Sequence, residues 1–141
     1  MPRLTRWFIK TAILYFVAGL LVGVALAVED IIRLPLPFPL GSLRPTYLHL
    51  LTLGWITQMI FGVAFWMFPR ASRERPRGYE GPATASYVLL NAGLLLRWVG
   101  EPMLAVQRMA AAGSLLIASA ALQWLAGVLF VVVIWGRVKA K

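Results

Sequence analysis

Residues 45–69 read PTYLHLLTLGWITQMIFGVAFWMFP, twenty-five positions without a permanently charged side chain, bracketed by Arg44 and Arg70. A helix rises about 1.5 Å per residue, so about 20 apolar residues cross the roughly 30 Å hydrocarbon core of a bilayer. The stretch is long enough to do so. Three more uncharged runs flank it: residues 11–28 between Lys10 and Glu29, 81–96 between Glu80 and Arg97, and 109–136 between Arg108 and Arg137. The third is short, but Arg97 can extend its side chain to the interface, and Trp98 and Val99 lengthen the run. The spacing predicts an all-α, integral membrane four-helix bundle, a single domain over 1–141 with spans at about 9–28, 46–68, 82–99 and 109–135.

The composition agrees. Hydrophobic residues make up 60% of the 141 and the mean hydropathy is +0.78, where soluble domains carry about 45–50% apolar residues. Lipid solvates that excess; water does not. Lys and Arg number 14 against 5 Asp and Glu. The basic residues sit in short clusters at the ends of the apolar runs, which excludes a nucleic-acid face and suits membrane topology. There is no cysteine, so disulfides, thiolate metal sites and cysteine nucleophiles are excluded.

Loop charges set the orientation. Arg3, Arg6 and Lys10 precede the first span. Arg70, Arg73, Arg75 and Arg77 follow the second, and Arg137, Lys139 and Lys141 follow the fourth. The remaining loops carry Glu29, Asp30, Arg33 and Arg44, which cancel, and Arg97, Glu101 and Arg108. The positive-inside rule therefore places both termini and the middle loop in the cytoplasm, with the chain in the cell inner (plasma) membrane. Ala25-Leu26-Ala27 imitates a signal-peptidase site, but the apolar run is longer than a usual signal core, so a retained helix is expected. Pro35, Pro37 and Pro39 at alternate positions favour an extended first outer loop.

Small and amide side chains recur at intervals of four: Tyr15, Gly19, Gly23 and Ala27 in the first span; Gly54, Gln58 and Gly62 in the second; Ser119, Gln123 and Gly127 in the fourth. Such seams let helix backbones approach closely in lipid, within one copy or between copies, and Asn91 is read as a packing hydrogen bond.

His49, the one histidine, lies just inside the outer end of the second span. At 100° per residue, Thr52, Leu53, Ile56 and Ile60 share its face, with Gly54, Gln58 and Gly62 behind. Ionisable groups within a span are costly and mark function, histidine being the mildest case. A lone histidine can also be structural. An imidazole beside an apolar wall, with Arg44, Arg97 and Arg108 on the same side of the membrane, is the set that heme requires: one axial nitrogen, flat apolar walls, and cations for the propionates; the same arginines equally fit ordinary interfacial anchors. No P-loop, paired carboxylate or nucleophile–base pair supports hydrolytic or phosphoryl-transfer chemistry. A transporter would need an ionisable group near the midplane, whereas Glu29, Asp30 and Glu101 map near the outer ends.

Residues 36–70, LPFPLGSLRPTYLHLLTLGWITQMIFGVAFWMFPR, resemble the second transmembrane helix of the catalytic subunit of heme-copper oxidases and nitric oxide reductases. The shared elements are Leu36-Pro37-Phe38, Arg44, His49, Gly54, Gly62, Phe65-Trp66 and Pro69-Arg70. The first span (Tyr15, Gly19, Gly23) and the third (Asn91, Gly93, Arg97) look like that family's first and third helices. The resemblance implies heme b, with His49 as an axial iron ligand near the outer face and Arg44 and Arg97 as propionate partners. That family has about twelve helices and several further histidines, so this chain is not expected to be a complete oxidase or reductase on its own. A homotrimer would restore the helix count, each heme having an open position or a weak second ligand such as Met59 or Met103. A homodimer would set two His49 side chains on one shared heme. The expected roles are electron transfer with a respiratory redox partner, or binding of O2 or NO. The alternative is a cofactor-free accessory or assembly subunit of a respiratory complex, in which His49 only hydrogen bonds.

Overall fold

The computed structural model describes residues 1–32, 39–68, 80–107 and 110–138, all helical apart from short ends and turns. The Pro35–Pro37 segment expected to be extended, the arginine-rich loop from Arg70 to Arg77, and Arg108 lie outside the described residues. The helices are α1 (Arg3–Ile32), α2 (Arg44–His49), α3 (Gln58–Met67), α4 (Glu80–Gln107) and α5 (Ala110–Trp135). A 3-10 turn, Leu40–Leu43, leads into α2, and a π-helical stretch, Leu50–Thr57, joins α2 to α3. Four stretches, Arg3–Glu29, Leu40–Met67, Glu80–Val106 and Ala110–Trp135, are long and apolar enough to cross a membrane.

Two helices outrun their expected lengths. The first continues through Glu29 and Asp30 to Ile32, and Glu29 Oε1 accepts the Leu40 backbone N–H at 2.8 Å. That carboxylate fastens the start of the second span to the end of the first, rather than standing in a solvated turn. The third continues through Arg97 and over Pro102 to Gln107. Arg97 Nη1 donates to Glu101 Oε1 at 2.7 Å, one turn on, so the charge that marked the span's end is neutralised within the helix.

The spans pair as two antiparallel hairpins, first with second and third with fourth. Close backbone approach explains both seams. A Cβ at Gly54 would come within 2.8 Å of Tyr15, one at Gly62 within 2.8 Å of Phe8, and one at Gly93 within 2.8 Å of Gln123. Amides and hydroxyls bond along the same seams. Gln58 Nε2 donates to Thr11 Oγ1, Ser119 Oγ to Gly93 O at 2.7 Å, and Ser86 Oγ to Ala126 O at 2.7 Å. Asn91 Nδ2 donates to Tyr87 O at 2.8 Å, inside its own helix.

At the end that holds both termini, aromatic rings lock the hairpins together. Phe61 stacks on Phe130 with centroids 3.7 Å apart, and Phe8 meets Tyr87 edge-on at 5.1 Å. Arg137, 2% exposed, closes this end: Nη1 donates to Phe65 O at 3.0 Å and Nη2 to Phe68 O at 2.7 Å. A cation on the last carbonyls of α3 offsets the negative end of its dipole.

Candidate functional site

His49 ends α2, and the π-helical stretch begins at the next residue. That winding decides where the imidazole points. Thr46, Leu50, Gly54, Gln58 and Gly62 are all buried, at intervals of four. An α-helix would turn such a stripe by about 160° between its first and last members. Eight residues at about 4.4 per turn bring that drift down to about 15°. The second span therefore has four nearly straight stripes. Leu48, Thr52, Ile56 and Ile60 are exposed and face outward. Tyr47, Leu51 and Trp55 meet Gly23, Gly19 and Phe16 of α1. His49 falls in the fourth stripe, with Leu53 and Phe61, which pack against Leu90, Leu94 and Ala126 of the other hairpin.

This corrects the face expected at 100° per residue. Leu53 stays with His49, while Thr52, Ile56 and Ile60 belong to the outward stripe. The seam of Gly54, Gln58 and Gly62 is buried against α1, as its spacing implied.

His49 is half-buried, and its Nδ1 lies 2.8 Å from Pro45 O. A carbonyl can only accept, so Nδ1 carries a hydrogen, and in the neutral imidazole Nε2 then keeps its lone pair. Metal-ligating histidines are commonly fixed in this way, the other ring nitrogen donating to a backbone carbonyl. Pro45 belongs to the same stripe and lines a concavity of about 560 Å³ with Gly41, Ser42, Glu101, Leu104 and Ala105, between the start of the second span and the end of the third.

The two arginines go to different places. Arg97 stands on the third span, its Nη1 on Glu101, and its Nε is buried with no hydrogen-bond partner among the described residues. Arg44 is exposed and lines a separate concavity of about 420 Å³ with Gly23, Leu26, Ala27, Tyr47 and Leu48, on the α1 side. His49 and Arg97 thus belong to the flank between the hairpins, and Arg44 to the side of the first span. Met59, ten residues along the span, is about 15 Å from His49 by helix rise, too far to ligate the same iron within one copy. Met103 is half-buried in α4, two residues after Glu101. Glu101 as the partner of Arg97 was readable from the four-residue spacing. The π winding had no comparable local signal.

No protein-family model, curated protein or solved structure matches this chain.

Proposed function

We propose that this chain is a heme b-binding membrane protein of the cell inner membrane, with both termini cytoplasmic, related through its second span to the catalytic subunit of heme-copper oxidases and nitric oxide reductases. The observation that carries it is the Nδ1 hydrogen bond to Pro45 O, which leaves Nε2 of His49 as the free imidazole nitrogen. The donor set fits one axial position. Nε2 of His49 would hold the iron, Leu53 would offer an apolar wall, and Arg97 is better placed than Arg44 to meet a propionate, since its orphaned Nε lacks an acceptor. Bound heme supplies a one-electron iron couple and, with an open coordination position, a site for O2 or NO. The protein's part is to hold the imidazole tautomer, orient the ring and keep water away. Because one chain has one histidine, the role is electron transfer with a respiratory partner, or gas binding, as a homodimer or homotrimer, and not complete oxidase or reductase chemistry.

The test is an absorption spectrum of the purified protein, oxidised and dithionite-reduced, for wild type and His49→Ala. Heme ligation predicts a Soret band with b-type reduced peaks in the wild type, lost in the variant. Carbon monoxide will shift the reduced spectrum only if a coordination position is open. A colourless protein that takes up no added hemin overturns the proposal.

One observation favours a cofactor-free accessory subunit. Both His49 and Arg97 already have partners inside their own helices. That reading predicts that His49→Ala lowers thermal stability while the visible spectrum of the wild type is already empty.

A further inference from the structure

The first span carries a stripe that neither the packing nor the proposed heme site uses. At 100° per residue, Arg3, Arg6, Lys10, Leu14, Leu21 and Val24 fall within an arc of about 80° on α1. All six are exposed, the apolar three at 67%, 66% and 63%. The opposite side of the same helix packs into the bundle, with Thr5, Phe8 and Ala12 fully buried. Along the outward stripe the cations come first, within Arg3–Lys10, and the apolar side chains follow. A phospholipid is divided in the same way, into a charged head and apolar chains.

These cations have no protein counter-charge. Among the described residues none of Arg3, Arg6 and Lys10 makes an ion pair, and the first turn of α1 holds no acidic residue. Arg137, at the same end, is the contrast: it is 2% exposed and donates to the carbonyls of Phe65 and Phe68. Topology needs only a count of cations on one side of the membrane, without regard to which face of a helix they occupy. Trp7, 51% exposed and about 40° from Arg3 around the helix, marks the level of the headgroups, where tryptophans concentrate. Lys10 lies about 10 Å further along the axis than Arg3. Its apolar stem can follow the helix back, so that the ammonium returns towards that level.

We propose that this stripe binds an anionic phospholipid of the leaflet on the side of the termini, its phosphate held by Arg3, Arg6 and Lys10 and an acyl chain lying along Leu14, Leu21 and Val24. Charge complementarity selects this occupant. A second copy seated on the stripe would set like charges against each other, and a zwitterionic headgroup would bring a positive group among them. Each basic side chain at an anionic membrane surface contributes about fivefold in affinity. The site is at the opposite end of the bundle from His49 and does not depend on heme.

Native mass spectrometry of the full chain, equilibrated in detergent with equal amounts of phosphatidylglycerol and phosphatidylcholine, reads which lipid stays bound. The wild type is expected to retain phosphatidylglycerol at least tenfold over phosphatidylcholine. Arg6→Gln and Lys10→Gln are each expected to lower that retention about fivefold. Their melting temperatures in lipid-free detergent should be unchanged, because neither side chain has an ionic partner to lose among the described residues. Replacing Arg73, Arg75 and Arg77 together by Gln removes more charge elsewhere in the chain, and should leave retention as it was. Equal retention of the two lipids by the wild type, full retention by Arg6→Gln and Lys10→Gln, or an equal loss from the variant of the middle loop would each overturn the proposal. A colourless protein that keeps phosphatidylglycerol would leave this site standing and remove the heme; a heme-loaded protein indifferent to lipid charge would do the reverse.

Discussion

At His49 the hydrogen bond from Nδ1 to Pro45 O decides which ring nitrogen is left to act. Pro45 is at the first turn of α2, where its missing N–H costs nothing. Arg137 shows how much one side chain can hold at the opposite end. Its two hydrogen bonds to the carbonyls of Phe65 and Phe68 are charge-assisted and shielded from water. Arg137→Met is expected to lower stability by roughly 2–3 kcal/mol, measured as thermal unfolding in detergent. Arg3→Met, at an exposed position, should leave the transition where it is. The basic tail was legible as a topology signal, but its arginine also serves as a helix cap. Charge counting does not distinguish a residue that anchors in headgroups from one that folds back onto carbonyls.

Among the elements, the second span depends most on its winding. Eight π-helical residues turn about as far as seven α-helical ones, within about 45°. Removing one residue from Leu50–Thr57 should therefore relax that stretch to α-helix and keep both halves of the seam in phase. Removing one residue from α3, between Gln58 and Met67, would rotate the remainder of that helix by about 100° and displace Gly62 from Phe8. Single-residue deletions are expected to yield folded protein, by monodisperse elution and melting temperature, in the first segment and not in the second. In the fourth span and its partner, Gly93→Leu should cost roughly 1–3 kcal/mol through overpacking against Gln123 and Ser119. Gly127→Leu should cost almost nothing, since a Cβ there has nothing within 4 Å.

For the whole molecule, the proposed orientation with both termini cytoplasmic rests on four candidate spans and on the basic clusters at Arg3–Lys10 and Arg137–Lys141. Reporter fusions at each end should both read as cytoplasmic, and one fused into the loop near Arg33 should read as external. The hairpins are joined by aromatic packing at the terminal end, while His49 and the concavity beside Pro45 lie towards the other.

The number of spans, their order, the charge asymmetry and the seam of Gly54, Gln58 and Gly62 were all determined by the sequence. Each follows from apolar run length or from four-residue spacing, and both are local properties. Tertiary structure decided the rest. It set Pro45 and Glu101 around one concavity and Arg44 on another, because packing decides which helix lies opposite each face of the second span. It also divided the glycines into packed and open ones, since whether a small residue receives a knob depends on which helix lies opposite, and the residue types alone do not specify that.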